Sequence, residues 1–195
     1  MSDYTIRKME PSEVTNFYEL IEEDFLPGEY APYNILHDQI QKGIQDGLVF
    51  RRNSIDCAYA ICAANNESGF VLISLMAVFM EYRKRGIGTA FMESLRTLYG
   101  HTQGIIVEVE RPEDAPMPEE RNSRNHRIEF YNKLGFYLIP GIDYTIWDVP
   151  MHLMALPLQA TSDTINAHIG EIMHQIYFRL MGKQFMHKMV LRILK

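Results

Sequence analysis

Cysteine is scarce, long apolar runs are missing and positive charge is in the minority. The two cysteines of the 195-residue chain, Cys57 and Cys62, stand in one strand-like run. At about 3.3 Å per residue a strand holds them about 16 Å apart and on opposite faces, too far to bridge. They are expected as small buried apolar residues in a reducing compartment. No apolar run approaches the roughly 18 residues of a membrane span, and no basic-then-apolar leader opens the sequence. A soluble cytoplasmic protein is the expectation. Lys and Arg total 19 against 25 Asp and Glu, a net charge of −6, so nucleic acid is not an expected partner. The histidines are scattered and none pairs with cysteine at ligand spacing, so no metal is expected.

What is present suits a globular core: 47% of the residues are hydrophobic. Tyr4 and Ile6 alternate as a first strand over 1–9. Val14, Phe17, Tyr18, Leu20 and Ile21 recur at helical spacing until Pro27-Gly28 stops them. A proline-rich loop over 26–33 carries Tyr30 and Tyr33. A second helix carries Ile35, Leu36, Ile40 and Ile44, with Gly47 as its stop. The period then changes. Residues 48–52 and 55–64 predict an antiparallel pair turned at Asn53-Ser54; a second turn follows at 65–69, then a strand over 70–79. Beyond a helix at 89–99, the pattern gives a strand at 104–110, a loop over 111–120, a helix at 123–134 and strands at 136–139, 145–149 and 151–156. This order predicts an α/β or α+β fold with a mixed, mostly antiparallel central sheet flanked by helices.

The central feature is Tyr82-Arg83-Lys84-Arg85-Gly86-Ile87-Gly88-Thr89, a glycine turn between a strand and a helix. A helix start leaves its first N–H groups unpaired and carries about half a positive charge, so it takes anions, phosphate above all. Gly86 and Gly88 let backbone approach a bulky ligand. The Walker pattern fails because Thr89-Ala90 replaces Lys-Ser/Thr, and the dinucleotide fingerprint fails at Phe91. A plain strand-to-helix turn with exposed charges is the alternative.

The residues do match R-x-x-G-x-G at Arg83, Gly86 and Gly88, which resembles the acetyl-CoA cradle of the GCN5-related N-acetyltransferases (GNAT); a later run, Arg127-Ile128-x-Phe130-Tyr131, resembles a variant seen in a bacterial branch of that family. The preceding Val78-Phe79-Met80-Glu81-Tyr82-Arg83 is similar to the family's V-x-P-E-Y-R run, with Met80 for the proline. Farther on, Arg127-Ile128-Glu129-Phe130-Tyr131-Asn132-Lys133-Leu134-Gly135-Phe136 resembles the family's second signature, a tyrosine followed by x-K-x-G-F. The more widespread form has alanine where Arg127 stands and asparagine where Arg124 stands. The two motifs cover residues 70–136, and the order of elements extends the likeness over 1–158, the expected acetyltransferase domain.

The resemblance implies an acetyl-CoA N-acyltransferase-like fold and acetyl transfer to a primary amine, small-molecule or peptide, with acetyl-CoA as co-substrate. It implies cofactor contacts from backbone of Met76 and Val78, from the turn Arg85, Gly86, Ile87, Gly88 and Thr89, and from Arg83 nearby. The reaction requires a base for an ammonium with pKa near 10, a donor for the thioester oxygen and an acid for the thiolate. Glu108 and Glu110 share one face of their strand. Glu108 falls where ribosomal-protein acetyltransferases of the family carry a catalytic glutamate, which makes it the candidate base. Glu110 is then a candidate contact for the substrate ammonium, and exposed strand carboxylates are the alternative for both. Tyr131 is the candidate acid, or else a core tyrosine beside Phe130. Tyr30 and Tyr33 are candidate walls of the acceptor site. A non-catalytic acyl-CoA-binding or assembly module is the alternative function.

The likeness does not cover 159–195, expected as an amphipathic helical tail. Ile165, Ile169, Ile172, Met173, Ile176, Tyr177 and Leu180 trace one stripe, and Phe185, Met186, Met189, Val190, Ile193 and Leu194 continue a second. Five Lys/Arg against two acids give this stretch a local excess of +3. Packing on the domain, a homodimer contact and a membrane-surface contact are the open readings.

Overall fold

The computed structural model describes residues 4–64 and 67–194, and Asn65-Asn66 of the second expected turn lie outside them. Strand β1 (Tyr4–Lys8), helices α1 (Val14–Asp24) and α2 (Tyr33–Gln41), strands β2 (Asp46–Arg52), β3 (Ile55–Ala64) and β4 (Phe70–Val78) and helix α3 (Ile87–Leu98) come first in the chain. Then follow β5 (Gly104–Glu110), α4 (Pro118–Lys133), β6 (Tyr137–Leu138), β7 (Ile142–Ile146), β8 (Val149–Pro157), α5 (Ser162–Met181) and β9 (Met189–Ile193). Contacts divide these into two units, 4–64 with 73–98, and 67–72 with 99–194.

In the first unit the strand order is β1-β2-β3-β4. Register sets Ile6 against Phe50 and Val49 against Tyr59, both antiparallel. The β2–β3 turn is Asn53-Ser54, with φ of 50° and 66°, the left-handed pair that the two-residue hairpin requires. Alternation sends Val49, Tyr59 and Ile61 to one face, where α1 buries Val14, Phe17 and Ile21 against them. Phe50 points to the other face and stacks on Phe91 of α3 at 4.8 Å. Helix α3 buries Ile87, Phe91, Met92 and Leu95 there. Both cysteines are buried and unbridged. Gly47 does not end α2. It lies in β2, where a side chain would meet Met9 at 3.0 Å, and the left-handed turn (φ 65°) after α2 falls at Gly43.

The second unit holds the start of β4 beside β5, and then β8, β7 and β9, with β6 on β8. The Gln103 N–H donates to the Gly69 carbonyl at 2.8 Å, which sets the start of β4 beside the start of β5. Glu108 stands opposite Leu153 in the antiparallel β5–β8 pair. Helix α4 begins five residues before the expected start, at Pro118. Proline is suited to the first helical position, where its missing N–H costs nothing, and Glu119 and Glu120 favour the positive end. The run expected as a strand over 145–149 contains a turn instead, with Trp147 and Asp148 at φ 50° and 67°. Trp-Asp lacks the Asn-Gly signature of such turns, so the pattern hid it.

Helix α5 packs within this unit and buries Ile165, Ile169, Ile172, Met173, Ile176 and Tyr177. Thr161 caps it, its hydroxyl accepting from the Thr164 N–H at 3.2 Å. The second helical stripe does not form. After Gly182 (φ 70°) a short 3-10 turn leads into β9, which pairs with β7 from Ile142↔Ile193 to Ile146↔Met189. Val190 and Ile193 are β-branched, and the open edge of β7 supplies the hydrogen bonds that a marginal terminal helix would lack.

Candidate functional site

The glycine turn has the geometry of an anion cradle. Its first helical bond runs from the Ala90 N–H to the Gly86 carbonyl at 3.0 Å, so the N–H groups of Ile87, Gly88 and Thr89 precede the ladder of α3. Gly86 sits at φ 75° with no atom within 4 Å of where a Cβ would stand, so the space beside the turn is open. Lys84, two residues earlier, holds φ 61°, a strained value for a residue with a Cβ. Ile87 is buried and anchors the turn, while Arg85, Gly86 and Thr89 are exposed.

Arg83 braces this turn. Its Nε donates to the Val78 carbonyl at 2.8 Å and its guanidinium pairs with Asp24 at the end of α1. The Tyr59 hydroxyl donates to the other Asp24 oxygen at 3.1 Å. The motif arginine therefore ties the end of β4, the turn and α1 together. Met76 is half-buried in β4.

Tyr30 and Tyr33 come together around Tyr18. Both pack edge-on to it, at 5.7 and 5.4 Å between ring centres. The Tyr33 hydroxyl shares a hydrogen bond with Thr15 at 2.9 Å.

In the second unit Glu108 is held by two hydroxyls. Tyr144 from β7 donates to its Oε1, and Tyr177 from α5 lies 2.8 Å from Oε1 and 2.9 Å from Oε2. Burial pushes the Glu108 carboxyl above the usual carboxylate range, while both tyrosines favour the anion and pull it back. Burial, then the adjacent Glu108 charge, pushes both phenols well above their ordinary value, so they stay protonated as donors.

Glu110, on the same face, is engaged by two cations. Its Oε1 is 2.9 Å from Arg124 and its Oε2 3.2 Å from Arg127, both on α4. Both carboxylate oxygens of Glu110 are thus already in ion pairs, so an ammonium there would share the carboxylate with two guanidinium groups. The two arginines that depart from the widespread family pattern thus meet the strand carboxylate. Arg124 also donates to the Arg111 carbonyl at 2.8 Å, and Arg111 pairs with Asp143 at 2.7 Å.

Tyr131, at the end of α4, is buried between Phe130 and Phe136, each 5.2 Å away between ring centres. The loop after β5 borders an open cleft of about 480 Å³ lined by Glu113, Arg121, Ile128, Leu138 and His152. His152 Nε2 stands 2.9 Å from Glu113 Oε1 there. Neither Glu108 nor Tyr131 is among the residues that line it.

Nothing local in the sequence singles out Tyr144, and Tyr177 stands there only as one member of an apolar stripe. The available signal was its hydroxyl, since a tyrosine among buried Ile and Met needs a polar partner.

Residues 45–138 match the family model described as an acetyltransferase (GNAT) domain. No curated protein matches the chain significantly. Among solved structures, a protein from Bacteroides thetaiotaomicron described as a GNAT-family acetyltransferase superposes with a TM-score of 0.72. It is 22% identical, over 90% of this chain and 98% of its own. The ribosomal-protein-S18-alanine N-acetyltransferase of Escherichia coli gives 0.57 at 18% identity, over 82% and 96%. A variant of the spermidine N-acetyltransferase of Vibrio cholerae gives 0.60 at 10%, over 80% and 94%. At these identities the structures speak to the fold, and they share its mostly antiparallel open sheet with flanking helices. The family match spans both motifs, so residues 45–138 carry a GNAT acetyltransferase domain, and the fold around them is that of solved GNAT-family acetyltransferases.

Proposed function

We propose that the protein transfers the acetyl group of acetyl-CoA to a primary amine by direct attack. The observation that carries this reading is the cradle at the start of α3, where a left-handed Gly86 leaves open space before a helix N-terminus. The turn Arg85–Thr89 would hold the diphosphate with its N–H groups, and backbone of Met76 and Val78 the pantetheine arm. Arg83, engaged with Asp24 and Val78, would act by bracing that turn. Acetyl-CoA supplies an activated acyl carbon and a thiolate leaving group.

Glu108 would take the ammonium proton, directly or through a water, so that the nitrogen lone pair can form the C–N bond as the C–S bond breaks. Its raised carboxyl suits the role, because a base works best with a pKa nearer the working pH. Tyr131 would return a proton to the departing sulfur. Tyr30 and Tyr33, joined through Tyr18, would offer aromatic faces to a cationic acceptor. An amine acceptor is supported by the solved relatives, whose names give a ribosomal-protein alanine and spermidine as substrates.

Calorimetric titration with acetyl-CoA, with dephospho-CoA and NAD as controls, tests the cradle. Thiol release with a panel of amines then tests turnover. Selective acetyl-CoA binding with amine-dependent thiol release is expected. Binding without turnover on any amine would instead favour an acyl-CoA-binding module.

A further inference from the structure

We infer that Tyr177, on α5 outside both family motifs, is a positioning residue for Glu108: its hydroxyl spans both carboxylate oxygens and, with Tyr144, fixes the orientation of the base. The inference rests on the proposed role of Glu108 as base.

The three residues come from three elements, β5, β7 and α5. Tyr144 donates to Oε1, and Tyr177 reaches Oε1 at 2.8 Å and Oε2 at 2.9 Å. A carboxylate offers about four lone-pair sites, so this arrangement still leaves room for the proton of a substrate or a water. The tyrosine rings are fixed. Tyr144 is fully buried, and Tyr177 is 8% exposed on a helix whose Ile169, Met173 and Ile176 neighbours are buried. A long glutamate side chain would otherwise sample several rotamers, at a cost in entropy on every encounter.

Among the described residues, the groups in contact with or directly opposite Glu108 include Tyr144 from β7, Tyr177 from α5 and apolar Leu153 across the β5–β8 pair. Glu110 on its own strand is neutralised by Arg124 and Arg127 from α4. The two hydroxyls therefore oppose the effect of burial on the carboxyl. Helix α5, which the sequence alone leaves as an appendage, becomes part of the catalytic support.

The test uses the full chain with 13C-labelled glutamate. The Glu108 carboxyl is assigned by its loss in Glu108→Gln and titrated by NMR in the parent, Tyr177→Phe and Tyr144→Phe. Removing a donor to the anion raises its titration midpoint. An upward shift of about one unit is expected in each tyrosine variant. The acid limb of kcat/KM should move up by the same amount, with KM for acetyl-CoA unchanged. An unchanged Glu108 midpoint in folded Tyr177→Phe would overturn the inference and leave Tyr177 as packing. A shifted midpoint with an unmoved kinetic limb would uphold the positioning contact and remove Glu108 as base. Site-specific 3,5-difluorotyrosine at position 177 gives an independent reading should Tyr177→Phe unfold. It is nearly isosteric and a stronger donor, so the midpoint should fall, and no change would again overturn the inference.

Discussion

Replacing Gly86 by alanine separates what the backbone needs from what the ligand needs. The native φ is 75°, so any Cβ is strained there, by about 1–2 kcal/mol. No neighbouring atom lies within 4 Å of that Cβ, so no steric term adds to it. For a chain of this size about 1 kcal/mol lowers Tm by roughly 2–4 °C, and the total loss should stay below about 8 °C. The same numbers apply to Gly43, at φ 65° with nothing within 4 Å, which ends α2 away from the cradle. Gly43→Ala is therefore the matched control. The two variants should lose similar stability and differ in binding. If the turn holds the diphosphate as proposed, a methyl at Gly86 should occupy the space before the α3 N-terminus and cost the ligand one charge-assisted N–H bond. That is about 1.5–3 kcal/mol, or ten- to hundred-fold in Kd for acetyl-CoA. Calorimetry on both variants beside the parent, with thermal unfolding, measures both quantities. Equal acetyl-CoA affinity in Gly86→Ala and Gly43→Ala would refute the cradle, whatever the Tm values.

Three further perturbations bear on the second unit. Glu108 has a raised folded pKa, so the folded state binds its proton more tightly than the unfolded chain does. Stability therefore falls as pH rises from the ordinary glutamate range through the folded value. Glu108→Gln should raise Tm at pH 8, match the parent near pH 4 and lower kcat by about 10²–10⁴-fold, and a lower Tm at pH 8 would contradict this. Ile169→Ala in the α5 seam removes a fully buried side chain and should cost about 2–4 kcal/mol in chemical denaturation, with a cost under about 1 kcal/mol counting against the helix being packed. Arg124→Met takes one of two cations from Glu110. It should cost about 1–3 kcal/mol in urea unfolding at neutral pH, and a cost under about 0.5 kcal/mol would count against the pair as a structural tie between β5 and α4.

The first unit adds an acid-sensitivity test. The bidentate hydrogen bond from Arg7 holds the Glu13 carboxyl below its usual range, with the Glu10 N–H assisting. A lowered folded pKa contributes stability above the ordinary glutamate value and loses it as pH falls through the folded one. Glu13→Gln should be less stable than the parent at pH 7 and equal to it at about pH 2, by thermal unfolding; a constant gap would mean that the ion pair is not the cause.

Much of this protein is local and therefore legible in the chain. The turn at Asn53-Ser54, the amphipathic stripe of α1, the glycine turn before α3 and the apolar stripe of α5 each depend on residues within a few positions of one another. Dihedral preference and periodicity encode them directly. The two motifs that resemble the acetyltransferase signatures are local in the same sense, since a diphosphate cradle is made by consecutive backbone N–H groups. The start of α4 at Pro118 was obscured because proline marks a loop and a helix start alike, and only the chain that follows tells which.

What tertiary structure alone decided concerns partners distant in sequence. Glu108 and Glu110 are two residues apart on one strand face and look equivalent in the chain. Their environments differ because β7 and α5 bring hydroxyls to the first, while α4 brings guanidinium groups to the second. Val190 and Ile193 suit a helical stripe or a strand, and the open edge of β7 chooses the strand. Arg83 belongs to a motif, yet its contact with Asp24 spans 59 positions. Periodicity says which side chains share a face. It cannot say what that face meets, because that depends on loop closure and packing across the whole chain.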